Sequence, residues 1–321
     1  MVKGRGDQTG SERLFYEERE DIVNIAGFVD LHIHGAGRYD TKTDEPGHIL
    51  KIAELHGREG TRAILPTIYP GSLLEMKKNM GAVKMAMELQ RAEGRKSKGS
   101  SLHATAFILG VHLEGPFLNP ARCGALDGRS FLKPSLPSFQ KIIEGHEDIV
   151  RIITVAPEMP GALRLIEKCA ASGIRVNMGH SEATYEEAVE GKKAGATGIT
   201  HIFNAMKPFH HREPGLAGLG LIDEDLYIEV IADGVHLHPK TLELVFNRKR
   251  LDRIILVSDA VKGAKKKGMP IYDTAGLLAG SGGTLSDAVE ELRYLSIPDA
   301  EIIEAAIDNP SRYIRHFSLP L

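Results

Sequence analysis

The chain has 321 residues, of which 42% are hydrophobic, 26% charged and 6% aromatic, the make-up of a globular protein able to bury a substantial core. With 40 Lys and Arg against 43 Asp and Glu the formal charge is -3, so no basic excess points to nucleic acid or to a membrane as partner. Cys123 and Cys169 are too few for a disulfide framework, no apolar run approaches the ~18 residues of a membrane span, and the charged start from Met1 to Asp21 lacks a signal-peptide core, so a cytoplasmic protein is expected.

Short apolar or β-branched runs alternate with segments of helical period, the pattern of repeated βα units and a parallel sheet. The strands read as Ala26–Ile33, Thr61–Leu65, Thr105–Leu113, Val150–Val155, Ile174–Asn177, Gly198–Thr200, Leu226–Ile231 and Arg253–Val257. Between and after them the spacing predicts helices over Gly47–Arg58, Leu73–Glu93, Ser138–Glu144, Gly161–Ala171, Tyr185–Ala194, Pro239–Asn247, Leu285–Leu295 and Asp299–Ile307. From Gly27 to Arg315 run 289 residues, roughly 36 for each of eight units, which favours a closed (β/α)8 barrel of TIM type over an open doubly wound sheet. Residues 1–25 read as an N-terminal extension and 26–321 as the catalytic barrel. The Gly/Ser/Lys-rich stretch Arg91–Ser101 reads as an exposed connection.

The chain carries 14 histidines, many directly after apolar runs. In such a barrel, chemistry gathers at the C-terminal ends of the strands. The first strand ends Asp30-Leu31-His32-Ile33-His34, and residues two apart on a strand share a face, so both imidazoles can meet one metal ion. The third ends His112-Leu113-Glu114-Gly115-Pro116; a carboxylate closing an apolar strand must be paired, protonated or metal-bound if it is buried. His180 follows strand five, His201 follows strand six, and Asp259 follows strand eight. Together they describe a metal hydrolase. Neutral imidazoles and a carboxylate hold a divalent ion, the ion lowers the pKa of its water to about 7, and the hydroxide so made attacks a carbonyl carbon. Asp259 is suited to act as general base and then general acid, or alternatively as a permanent ligand. The glycines Gly215, Gly218 and Gly220 form no phosphate-loop pattern.

The strings GFVDLHIHGAG (27–37), GVHLEGPFLNP (110–120), MGHSEATYEEA (178–188), THIFNAMKPFHHREPGLAG (200–218), IADGVH (231–236), LVSDA (256–260) and LAGSGGTLSDAV (278–289) resemble the N-acetylglucosamine-6-phosphate deacetylase family of the amidohydrolase superfamily. The resemblance covers nearly the whole chain, in order. It implies that Glu114, His180 and His201 hold the main ion, zinc or iron, and that His32 and His34 match the paired histidines with which some members bind a second. It also implies that Asp259 is the acid/base, and that the sugar phosphate meets Ala125, Asn204, Ala205, Arg212, Asp233, Gly234, Val235, His236, Leu278, Ala279 and Gly280. Arg212 stands in a local basic cluster with Lys207, His210 and His211, where its guanidinium fork suits a phosphate.

Three departures stand out from the family pattern. Leu126 occupies the place of a histidine that contacts the substrate carbonyl, the segments that usually form a small β-sandwich beside the barrel look absent or vestigial, and the passage from Asp259 to Leu278 is shorter than usual and carries Lys262, Lys265, Lys266 and Lys267. The expected function is metal-dependent deacetylation of N-acetylglucosamine 6-phosphate to glucosamine 6-phosphate and acetate, by metal-bound hydroxide with Asp259 managing the protons. Two alternatives are a deacylase of another N-acyl amino sugar or small amide, and a non-catalytic sugar-phosphate-binding barrel. The expected partner is the small-molecule substrate, with no nucleic acid or membrane, and the resemblance points to a homodimer.

Overall fold

The computed structural model describes residues 27–96, 105–263, 270–273 and 276–314; the expected N-terminal extension therefore lies outside the described residues. Eight parallel strands follow one another in chain order: β1 (Phe28–Ile33), β2 (Thr61–Ile68), β3 (Val111–Glu114), β4 (Val150–Val155), β5 (Arg175–Met178), β6 (Gly198–Ile199), β7 (Tyr227–Ile231) and β8 (Ile254–Val257). The seam between β8 and β1 is joined just beyond β8, where Asp259 N donates to the His32 carbonyl at 3.0 Å and His34 N to that of Ala260 at 2.7 Å. A helix follows each strand: α1 (Pro46–Arg58), α2 (Leu73–Lys96), α3 (Leu136–Ile143), α4 (Ala162–Ala171), α5 (Tyr185–Lys193), α6 (Gly215–Ile222), α7 (Pro239–Arg248) and α8 (Leu285–Tyr294). Among the described residues no helix is long and apolar enough to cross a membrane.

Local chemistry accounts for most boundaries. Thr184 and Glu187 form a reciprocal capping box at the start of α5, as Thr284 and Asp287 do for α8. The expected strand Thr105–Leu113 is two pieces, because Gly110 breaks it with φ +139°. A side chain there would lie 2.3 Å from the Ile149 carbonyl. Only Phe107–Ile108, paired with β2, precedes the break. Helix α2 continues to Lys96, so the first six residues of the expected connection Arg91–Ser101 are helical and the rest lies outside the described residues. The last expected helix runs on through a π-turn (Glu304–Asp308) into α10 (Asn309–Ile314), its first part, Asp299–Ile303, being α9. Helix α6 was not legible, because a buried GLAGLGLI segment has no polar face to set a 3.6-residue period. Its glycines serve packing: a Cβ at Gly220 would meet Ile199 at 2.8 Å and Ile202 at 2.9 Å.

Two hydrophobic clusters divide the interior. One fills the layer between strands and helices; the other, with Val29, Leu31, Ala63, Leu65, Ile152, Ile231, Ile255 and Val257 around Tyr313, fills the barrel. Pairing of β1 with β2 is irregular between Asp30 and Ile33. Below that bulge Val29 and Leu31 face the barrel cluster, whereas Ile33 belongs to the outer layer. Such a bulge re-aims side chains, here turning His32 and His34 to the mouth.

Two small antiparallel hairpins stand at the mouth, Gly35–Ala36 with Tyr39–Asp40 and Pro270–Tyr272 with Leu278–Ser281. The second is stitched to the end of β8: Ser281 N donates to the Asp259 carbonyl at 2.9 Å, and Val261 N to that of Ser281 at 3.0 Å.

Candidate metal centre and cavity

Five predicted residues converge at the barrel mouth around Glu114, which is 3% exposed. Its Oε1 lies 3.1 Å from both His180 Nε2 and His201 Nε2 and 3.4 Å from His32 Nε2, and its Oε2 lies 3.0 Å from His34 Nε2. Burial opposes ionisation of this carboxyl. When the imidazoles carry the positive charge, that on His32 and the hydrogen bonds from His180 and His201 outweigh it and hold Glu114 well below the usual carboxylate range. Asp259 completes the ring, its Oδ1 3.6 Å from both His32 Nε2 and His34 Nε2.

The backbone is bent to make this possible. His180, His201 and Asp259 have φ of 47°, 27° and 49°, the left-handed region that non-glycine residues seldom adopt. Each sits just beyond its strand, where the reversal swings the side chain over the mouth. Strain of this kind persists only when the surroundings fix it, and it concentrates at functional sites. Beneath them Asp30, fully buried, accepts from Ser258 Oγ at 2.5 Å and from Ser258 N at 3.2 Å, locking β1 to β8 below the ring. Burial pushes its pKa up to about 7.

The tautomers show that these residues fit a cation. His180 Nδ1 faces the Arg122 carbonyl at 2.8 Å; a carbonyl only accepts, so Nδ1 carries a proton, and in the neutral ring Nε2 is bare. His32 Nδ1 faces the Glu229 carboxylate at 3.2 Å, with the same result. Bare imidazole nitrogens then stand within 3.1 to 3.4 Å of an ionised carboxylate oxygen, lone pair against lone pair. Positive charge among them, as protons on the rings or as a divalent ion, makes that arrangement favourable, and imidazole with carboxylate is a donor set for zinc or iron. Among the described residues three groups that share His32 have every donor atom within 4.8 Å of the others: His32, Glu114 and His201; His32, His34 and Asp259; and, below the ring, His32, His112 and Glu229. The partners behind the ligands belong to the same design, since a carboxylate or carbonyl on the far nitrogen fixes ring orientation.

A cavity of about 450 Å³ opens above the ring. Its walls include Ala125, Asn204, Ala205, His236, Leu278, Ala279 and Gly280 of the expected substrate residues. Arg212, Asp233, Gly234 and Val235 are not among them. Arg212 is exposed, 3.1 Å from His211 Nε2, whereas Asp233 holds His236, its Oδ2 2.7 Å from Nδ1. Burial works against a charge on His236, but Asp233 prevails and raises its pKa above the ordinary value.

Several wall residues escaped the sequence reading: Asp40, Tyr69, Lys262, Ile271, Tyr272 and Asp273. Tyr69 follows β2 directly, so the strand-end rule that found the histidines applies to it too. Its ring stacks on His34 at 3.9 Å and 23°, and its hydroxyl has no hydrogen-bond partner among the described residues. Burial, then the carboxylates of Asp40, Asp259 and Glu114, push the phenol well above its usual pKa, so it keeps its proton. Leu126 also lines the cavity. Glu229 was missed as well, although a lone charge in the apolar strand YIEVI is a visible signal.

Comparison with known proteins agrees with this geometry. Residues 23–306 match the amidohydrolase family. The chain is 31% identical over 315 residues to an N-acetylgalactosamine-6-phosphate deacetylase of Escherichia coli O157:H7, covering 92% of this chain and 79% of the relative. It is 33% identical over 295 residues to an N-acetylglucosamine-6-phosphate deacetylase of Lysinibacillus sphaericus, covering 85% and 71%. A mutant N-acetyl-D-glucosamine-6-phosphate deacetylase from Mycobacterium smegmatis, solved in complex with N-acetyl-D-glucosamine-6-phosphate, superposes with a TM-score of 0.79 at 27% identity, covering 90% of this chain and 77% of that one. The chain belongs to the amidohydrolase family, among its hexosamine-phosphate deacetylases.

Proposed function

We propose that this amidohydrolase removes acetate from an N-acetylated hexosamine 6-phosphate, N-acetylglucosamine 6-phosphate first among them, to give the amino sugar phosphate. The observation that carries this reading is the ring of imidazole Nε2 atoms around Glu114, with Asp259 beside it. Glu114, His180 and His201 hold one divalent ion, zinc or iron, and His32 with His34 a second. Such an ion supplies a water acidified toward neutral pH and polarisation of the amide carbonyl.

The rest falls to the chain's own residues. Asp259 Oδ1 takes the proton of the attacking water and delivers it to the departing nitrogen, as base and then acid. Its aim is fixed by its backbone hydrogen bonds to β1 and to the Leu278–Ser281 hairpin. His236, made more basic by Asp233, is suited to the 6-phosphate, and Asn204, Ala205, Ala125 and the backbone of Leu278, Ala279 and Gly280 bound the sugar. Gly234 and Val235 shape the turn that carries His236, and Arg212 contributes a cation outside the cavity wall. The reading also includes a homodimer in the cytoplasm, on the resemblance and the scarcity of cysteine.

Acetate release from purified protein supplied with zinc or iron tests the assignment. N-acetylglucosamine 6-phosphate and its galacto isomer are expected to be turned over with kcat/KM at least about tenfold above unphosphorylated N-acetylglucosamine, the worth of one charge-assisted contact. Hydrolysis of some other amide with no acetate from either sugar phosphate overturns the substrate.

Leu126 offers no polar atom to the carbonyl, and Tyr69 is the neutral donor on the same wall. Tyr69→Phe keeps the stack on His34 and is expected to lower kcat by about a hundredfold, in the range for loss of one oxyanion donor. Zinc content should be unchanged. A kcat within twofold of the parent assigns Tyr69 to packing alone.

A further inference from the structure

We propose that Tyr313, Asn177 and Glu229 form a positioning relay through the barrel that sets the tautomer and aim of His32, so that the metal centre depends on docking of the last helix. The inference rests on the metal-centre reading above and extends it to residues that do not line the cavity.

The relay is a continuous buried column. Glu229 Oε2 lies 3.2 Å from His32 Nδ1, and its Oε1 accepts from Asn177 Nδ2 at 2.7 Å. Asn177 Oδ1 accepts from the Tyr313 hydroxyl at 2.5 Å, and that hydroxyl lies 3.0 Å from Thr197 Oγ1. Glu229, Asn177 and Tyr313 are each 1% exposed, so water does not compete for these contacts.

Chemistry forces the direction of every bond. An ionised carboxylate only accepts, so Glu229 takes one proton from the Asn177 amide and one from the imidazole. An asparagine that turns its NH2 to Glu229 turns its oxygen to Tyr313, whose hydroxyl must donate. Thr197 then donates to the phenolic oxygen. The protons of Thr197, Tyr313 and Asn177 point toward Glu229, and that on His32 Nδ1 meets the same carboxylate from the other side. In the neutral ring that leaves Nε2 bare to face a metal ion, 3.4 Å from Glu114 Oε1 and 3.3 Å from His34 Nε2.

The far end is held as firmly. In α10, Asn309 Nδ2 donates to the carbonyls of Leu251 and Ile254 at 2.7 and 2.8 Å, which ties the helix to the start of β8. Arg175 Nε donates to the Tyr313 carbonyl at 2.8 Å, and its guanidinium carbon lies 5.2 Å from the Tyr313 ring centre. Gly198 on β6 leaves the column its space: a Cβ there would come within 2.4 Å of Asn177 Oδ1 and 2.7 Å of the Tyr313 hydroxyl.

Zinc affinity of the metal-stripped protein, measured by chelator competition, tests the relay without reference to turnover. Tyr313→Phe deletes one hydroxyl and is expected to weaken zinc binding about tenfold, while the circular dichroism of the stripped protein stays that of the parent. Glu229→Gln must keep an oxygen toward Asn177 and so turns its NH2 against His32 Nδ1, favouring the wrong tautomer. About a hundredfold loss is expected there. Should Tyr313→Phe fail to fold, Glu229→Gln decides alone. Zinc binding by both variants as tight as the parent's overturns the relay and leaves the metal centre standing. A parent protein that takes up no zinc overturns the metal centre and the relay with it.

Discussion

Glu114→Gln is expected to strip the protein of zinc and to cut acetate release by at least about a thousandfold, the several kcal/mol that a divalent ion contributes to a hydrolytic transition state. The size follows from position. Among the described residues Glu114 is the one whose two oxygens reach four imidazoles, at 3.0 to 3.4 Å. Glutamine keeps the shape and removes the charge. Its NH2 would also donate to one of the bare nitrogens, satisfying that histidine without a metal. Metal analysis after gel filtration, beside initial rates at saturating substrate, reads both effects. A variant that retains a full complement of zinc and a rate within tenfold of the parent removes Glu114 from the centre.

Asp259→Asn is expected to keep its zinc and lose about a thousandfold in kcat, with KM nearly unchanged, as befits removal of a group that both accepts and returns a proton. Asparagine is the right replacement for a physical reason: position 259 has φ 49°, and asparagine tolerates the left-handed region better than alanine does. Loss of rate then reports on the carboxylate and not on a collapsed turn. The two variants separate the roles, since Glu114→Gln should lose metal and rate together whereas Asp259→Asn should lose rate alone. Loss of zinc in Asp259→Asn would make Asp259 a ligand first, and an unchanged kcat would end its role as acid and base.

The fold was largely legible because a barrel repeats one local unit. Each of the eight expected strands overlaps an observed one, and Val150–Val155 agrees residue for residue. The misses have local causes. Gly110 broke a strand that hydrophobicity made continuous, and α6 lacks the polar face that periodicity needs. The site was legible at the ligands, since His32, His34, Glu114, His180, His201 and Asp259 all end or directly follow strands. It was less legible on the walls. Tyr69 directly follows a strand, but Asp40 and Lys262 come from different elements and carry no local signature, and Arg212 has one but stands outside the cavity.

By itself the sequence determined the parallel βα order, the strand-end position of each donor and thereby the chemical class, because strand alternation and strand ends are properties of short stretches of chain. Only the tertiary structure decided which nitrogen of His32 and of His180 turns to Glu114, how the bulge in β1 turns His32 and His34 into the mouth, and that Glu229, 197 residues from His32, stands behind it. Those outcomes depend on contacts between residues far apart in sequence. A hydrogen-bond partner that arrives from another strand leaves no mark on the stretch it completes.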